Sequence, residues 1–457
     1  MKRAIRQGSF MAIFILFVVG VVVIINLLSI NHHKKFDLTS RAIYSLSGQT
    51  KKLLSSLKEN ITAYAFVRSD RRLRAQDILE QYSYLSDKFR FQVVDPDKQP
   101  ALAKKYKITD YDIYILETES GRRTSIKNLK ENDITNAILK ATTTDEKIVY
   151  IMEGHKERSI KGDKPRHWTR AVAALEEAAY KVKPLNWFTT GKTPEDADLV
   201  IIAGPKKDFQ PVELDLLREL ADMGTSIFIT IDPDYLPNLT GYLREFGFKF
   251  NEDIIVDPVS QQLGFEWLLA TAATYGKHPI VAELKAATFF WVARSIEFVF
   301  DNKRKTNLSP VGSTAPQSWS ELELKSIEKG EPKFSKEKDL KGPRMVMVAG
   351  EYPFGPKKEE LKIGETQKKG RIVVAGDSDF AANSYIDLSA NKDIFLNAVG
   401  WLLAQENSIS IRPKTRGFNP IMFTGLELNV IFFVAVTLVP VLVIISGVIV
   451  WIKRKRA

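Results

Sequence analysis

The chain has 457 residues, 44% of them hydrophobic, and no cysteine; it is long enough for about three domains, and disulfides, thiolate nucleophiles, Fe–S clusters and Cys-based zinc sites are all excluded. Lys and Arg outnumber Asp and Glu by eleven, but five of these charges precede Phe36 and four follow Ile452, which leaves two for everything between. A nucleic-acid binder carries its excess over a folded face, whereas this excess flanks two apolar runs, so nucleic acid is not an expected partner.

Residues 10–30 hold no charge, and a helix of that length rises roughly 30 Å, the thickness of a hydrocarbon core. The run is longer than a signal-peptide core and is followed by Asn31, His32, His33, Lys34 and Lys35, not by a small-residue cleavage site, so it predicts an uncleaved anchor over 1–35. Residues 61–68 alternate as a strand. Residues 71–88 carry Leu73, Ile78, Leu79, Tyr82 and Leu85 at helical spacing. A strand over 89–94 runs into Asp95-Pro96-Asp97, a short helix over 100–106 follows, and a hairpin begins at 112–117 with Ser120-Gly121 in its turn. This order resembles the thioredoxin-like fold, and residues 94–108 (VDPDKQPALAKKYKI) look like the segment leading to its cis-proline strand. There is no Cys-x-x-Cys, and Tyr111-Asp112 stands where the cis-proline would be, which removes redox chemistry from that unit, 36–145.

After a helical linker at 131–144, apolar strands over 147–152, 198–203, 226–231 and 371–375 alternate with helices over 168–179, 211–223 and 391–405, with a further strand at 182–187. That pattern predicts a parallel sheet covered on both faces, a flavodoxin-like domain spanning 146–415. Two stretches near 303–343 and 355–370, rich in Lys, Glu and Gly, read as exposed insertions. A second uncharged run at 430–452, followed by four basic residues, predicts a C-terminal span and basic tail within 416–457. Both flanks place the termini in the cytoplasm and the body outside it.

No P-loop, G-x-G-x-x-G, H-E-x-x-H or G-x-S-x-G occurs, and the five histidines are 32, 33, 155, 167 and 278, so neither cofactor nor metal is expected. Candidate chemistry lies at the C-terminal ends of the parallel strands, where open α/β sheets bind ligands. These residues are Glu153, Gly154, His155 and Glu157, then Gly204, then Asp232 and Asp234, and last Asp377, Asp379 and Asn383. The carboxylates could act with His155 as acid and base in an envelope hydrolase; the same residue types also cap helices and stabilise turns.

FDLTSRAIYSLSGQT, VDPDKQPALAKKYKI, GHKE, DLVIIAGPKKDF, GTSIFITIDP, KHPI and GDSDFAANSYI together resemble the auxiliary component of gliding-motility-type ABC transporters, the GldG-like family. The resemblance implies a class I glutamine-amidotransferase-like large domain; with no Cys after the strand ending at Ile231, glutamine hydrolysis is excluded. It implies a non-catalytic accessory subunit in a bacterial inner membrane, partnered by an ABC permease and a cytoplasmic ATPase, with an envelope protein or polysaccharide as ligand. A scaffold for motility or cell-surface machinery is the alternative. The family's G-H-G-E stands here as Gly154-His155-Lys156-Glu157.

Overall fold

A computed structural model describes residues 46–404, apart from 144–145, 285, 300–301, 329, 331 and 357–366, together with 432–456 and isolated positions 17, 20 and 21. The expected N-terminal span therefore lies almost wholly outside the described residues. The protein is a mixed α/β structure with parallel and antiparallel sheets, and it divides into two compact units between Ala141 and Thr142.

The first unit opens with helix Gly48–Ser55, whose first turn is capped by the Ser47 hydroxyl accepting from the Thr50 amide at 3.2 Å. Strands β1 (Ile61–Phe66), β2 (Phe89–Val94), β3 (Ile113–Thr118) and β4 (Arg123–Ile126) are interleaved with helices Arg72–Leu85, Pro100–Lys105 and Glu131–Thr142. The sheet order is β2-β1-β3-β4, with β1 parallel to β2 and the other pairs antiparallel. Period-two alternation sends Ile61, Ala63 and Ala65 to one core with Leu79, Tyr82 and Ile138, and Phe66 to another with Val94 and Tyr106. Each such large side chain contributes about 1.5–3 kcal/mol. Leu73, one of the apolar positions at helical spacing, is exposed, because the packed stripe of that helix runs through Ala75, Leu79 and Tyr82. Asp112 takes a left-handed conformation and pairs with Arg71, while Arg68 lies over the Tyr111 ring.

The second unit holds β5 (Ile148–Met152), β6 (Lys181–Leu185), β7 (Leu199–Ala203), β8 (Ser226–Thr230), β9 (Phe248–Phe250), β10 (Ile254–Val256), β11 (Leu269–Tyr275), β12 (Thr288–Trp291), β13 (Ile296–Phe298), β14 (Asn307–Thr314), β15 (Trp319–Glu321), β16 (Leu340–Lys341), β17 (Met345–Phe354) and β18 (Lys368–Ala375). The large sheet runs β12-β11-β14-β17-β18-β8-β7-β5-β6, with β13 pairing β17 and β9; β10-β15-β16 form a separate small sheet. From β18 to β6 neighbours are parallel, and from β12 to β18 antiparallel. Both faces of the parallel half are buried, which is why its strands are continuous apolar runs. Leu199, Ile201, Phe228 and Val373 face helices Thr169–Glu177 and Asn391–Leu402, whereas Val200, Ile202, Ile229 and Val374 face helices Pro211–Met223 and Pro237–Arg244.

The stretch near 303–343 is not an exposed insertion throughout. It supplies β14, which sits between β11 and β17 in the large sheet. Pro310 and Gly312 make this segment read as a loop, and both fall at register shifts against β17, where bulges tolerate them. Within 355–370, residues 357–366 lie outside the description, and β18 already begins at Lys368. The helix Phe433–Ile452 is uncharged, exposed along its described side chains, and long and apolar enough to cross a bilayer.

Candidate functional site

The parallel strands lie in the order β6-β5-β7-β8-β18, so the chain steps to one side from β5 to β6 and to the other from β6 to β7. This reversal is the topological switch point at which doubly wound sheets open a crevice beyond the strand C-termini. The loops after β5 and β7 carry 153–158 and 204–208 to that edge, and those after β8 and β18 bring Asp232, Asp234, Asp377 and Asp379 beside them.

Asp232 is the hub. Its Oδ1 accepts the Ser378 amide at 2.7 Å, and its Oδ2 takes the Ser378 hydroxyl at 2.9 Å, Arg158 at 2.9 Å and the Lys206 ammonium at 2.7 Å. Four donors thus engage this carboxylate, three of them at Oδ2. Burial pushes this carboxyl up, but the Lys206 and Arg158 charges outweigh that and hold it below its ordinary value. Arg158 also donates through Nε to the Ser378 hydroxyl at 2.7 Å and pairs with Asp379 at 2.9 Å. Asp379 meets Arg166 as well, and Lys206 bridges Asp232 to Asp234. Asp377 is fully buried and accepts the amides of Trp291, Asp379 and Phe380. Burial, joined by the Asp232 and Asp379 charges, raises it well above the carboxylate range. The Arg294 guanidinium, also buried, donates to the carbonyls of Asp232 and Asp234.

His155 belongs to a second set. Its Nδ1 lies 3.1 Å from Glu157 Oε1 and its Nε2 3.0 Å from Glu213 Oε2, and the ring stacks on Phe209 at 3.9 Å between centroids. The His155 amide donates to Glu157 Oε2 at 2.7 Å, and Glu213 also accepts the Gln210 amide at the start of its helix. Burial pushes the imidazole down, but its hydrogen bonds to Glu157 and Glu213, with their charges, prevail and raise it. Lys206 and Lys207 donate their amides to the His155 carbonyl, which ties the two sets together through backbone.

The structure thus gathers Asp232, Asp234, Asp377 and Asp379 into one network and puts His155 with Glu157 in another. Gly204 adjoins the first, for a Cβ there would overlap the Ser378 hydroxyl. Gly154 lies against the Phe188 ring. Glu153 is half-buried and makes its backbone bond to Leu185. Asn383 ties the Arg170 amide to the Lys164 carbonyl and so fastens two loops. Arg158, Lys206, Glu213, Arg294 and Ser378 complete the networks and were not singled out from the sequence, although Arg158 follows GHKE directly and Lys206 and Ser378 lie inside GPKK and GDSD. Among the described residues no group of His, Asp and Glu is arranged to hold a metal ion. Lys156 adopts φ 61°, so this turn carries a left-handed backbone without a glycine.

No curated protein matches the chain. The structure is similar to the mmIFT52 N-terminal domain (16% identity, 56% of this chain and 97% of that one, TM-score 0.40) and to a cytoplasmic protein of Salmonella typhimurium (11%, 56% and 98%, TM-score 0.30). It is also similar to an N-terminal domain of the alkylhydroperoxide reductase AhpF of Enterococcus faecalis (14%, 31% and 79%, TM-score 0.20). Residues 40–147 match a domain of unknown function, DUF7088. Residues 146–398, more than half of the chain and the whole of the switch-point edge, match the family described as ABC-type uncharacterized transport system, and the chain belongs to that family, as an auxiliary component of an ABC transport system.

Proposed function

We propose that the protein is a membrane-anchored, non-catalytic accessory subunit of an ABC transporter, of the GldG-like kind, whose two α/β units lie outside the cytoplasm and bind or couple an envelope ligand. The observation that carries this reading is the family match over 146–398. The apolar helix Phe433–Ile452 with its basic tail supports the anchoring and the orientation. Strand order β2-β1-β3-β4 supports a thioredoxin-like first unit, and β6-β5-β7-β8-β18 a flavodoxin-like or amidotransferase-like second one. The strand-end carboxylates favour a binding role over hydrolysis: Asp232 is held by four donors, two of them cationic, and His155 is spent on Glu157 and Glu213 instead of facing an aspartate. In this reading a permease and a cytoplasmic ATPase supply the motion, and the rigid edge receives the ligand.

Crosslinking in intact membranes, followed by purification through a C-terminal tag and mass spectrometry, tests it. Recovery of a multi-span permease together with a P-loop ATPase is the expected result; recovery of envelope proteins alone would move the protein to the scaffold reading.

A further inference from the structure

We infer that the switch-point edge is a docking surface for an extended acidic polypeptide segment. Four exposed residues follow neighbouring strands of the sheet: Phe188 after β6, Lys156 after β5, Lys207 after β7 and Tyr235 after β8, and contacts between their loops join them, with the Phe188 ring against Gly154, the Lys207 amide on the His155 carbonyl and Lys206 on Asp234. At about 4.8 Å between neighbouring strands the four strand ends beneath this row span roughly 14 Å, the reach of about four or five residues of extended chain. Its ends are aromatic and strongly exposed, Phe188 at 66% and Tyr235 at 77%, and its centre is cationic. Neither Lys156 nor Lys207 has a carboxylate partner among the described residues, in contrast to Lys206 beside them, which is held by Asp232 and Asp234. Lys161 and Lys164, in the same loop as Lys156, are also exposed, and the acids at least partly exposed in these loops include Glu153, Asp163, Asp208 and Asp234, of which Asp234 is paired with Lys206 and Asp208 caps Asn238 and Leu239.

The row stands on a stiff base. The His155 carbonyl takes the amides of Lys206 and Lys207, and the Asp208 carboxylate caps Asn238 and Leu239, so the loops after β5, β7 and β8 are pinned to one another before any partner arrives. A preformed surface with aromatic anchors at its ends and unpaired lysines between them suits an extended chain with acidic residues in the middle and apolar ones outside. The inference rests on the binding role proposed above and adds the chemistry of what is bound.

Fluorescein-labelled poly-L-glutamate, titrated into the full-length protein in detergent and followed by anisotropy, tests the surface. The double variant Lys156→Glu/Lys207→Glu is expected to weaken binding by about ten-fold or more, and Phe188→Ser to weaken a glutamate peptide with terminal leucines more than poly-L-glutamate. Lys51→Glu/Lys58→Glu, which changes net charge equally in the first unit, should leave binding as it was, with unchanged melting temperatures in every variant. Equal losses in both double variants, no binding by the natural sequence, or tighter binding of polygalacturonate than of poly-L-glutamate would each overturn the inference. None of these outcomes bears on whether a permease and ATPase copurify, so the two proposals fail separately.

Discussion

With Glu157 at Nδ1 and Glu213 at Nε2 of His155, only the doubly protonated ring donates to both carboxylates. Its pKa in the folded chain is raised above an unfolded value of about 6.5. The stabilisation from this cation is therefore complete below the unfolded pKa and disappears as pH rises through the folded one. His155→Gln removes the titration, so the difference in melting temperature between the natural sequence and this variant should shrink from mildly acidic to alkaline pH; a difference that grows would show that the ring is neutral in the folded state. His155→Ala leaves two buried carboxylates without their cation, and breaking such a buried set costs about 3–5 kcal/mol. The neighbouring Lys156 has the opposite sign. Its left-handed backbone carries a penalty of roughly 1–2 kcal/mol for a side chain with a Cβ, part of which glycine returns as unfolded-state entropy. Lys156→Gly should thus stabilise by up to about 1 kcal/mol in denaturant melts, with no such gain from Lys156→Ala.

At the scale of elements, the close approach of the loops after β7 and β18 depends on Gly204, which sits at φ 61° with the Ser378 side chain where a Cβ would lie. Gly204→Ala must displace the serine that binds Asp232 and Arg158; overpacking of that kind costs about 1–3 kcal/mol, beyond the backbone strain. A thermal melt indistinguishable from the natural chain would mean that the loops adjust freely. The Arg158–Asp232 pair welds β5 to β8 in the same place. Removing either partner alone, by Arg158→Met or Asp232→Leu, should destabilise by about 3–5 kcal/mol, and the double variant by less than the sum of the two. The strands under these loops were legible because LVIIA, SIFIT and RIVVA are uninterrupted apolar runs, which is what burial on both faces demands. β14 was not, because Pro310 and Gly312 break its pattern at bulges, and β9, β10, β13, β15 and β16 are only two or three residues long, too short for any period to register. The acids of the edge could be read from their places after those strands. Their cations could not, since Arg158 reaches Ser378 across 220 positions of sequence and no local spacing encodes that contact.

For the whole molecule, charge and cysteine content combine into one experiment. The 20-residue helix Phe433–Ile452 rises about 30 Å, enough to cross a hydrocarbon core, and Lys453, Arg454, Lys455 and Arg456 follow it at once. Cations at a span's end are retained on the cytoplasmic side, so the residues before the helix should face the other way. The chain has no cysteine of its own, so any thiol introduced is the sole target of a membrane-impermeant maleimide. Lys161→Cys on the edge of the second unit and Lys58→Cys on the first are both exposed positions. Each should label in intact cells whose outer membrane has been made permeable, while Ala457→Cys labels only after lysis. Labelling of Lys161→Cys only after lysis would put the family-matched unit in the cytoplasm and would require the basic flank to be read as a surface contact and not as a topology signal. Labelling of both units before lysis would leave the basic tail as the only described part on the cytoplasmic side, so that motion driven by ATP in the proposed complex would have to reach the switch-point edge through a partner within the membrane or through the membrane helix.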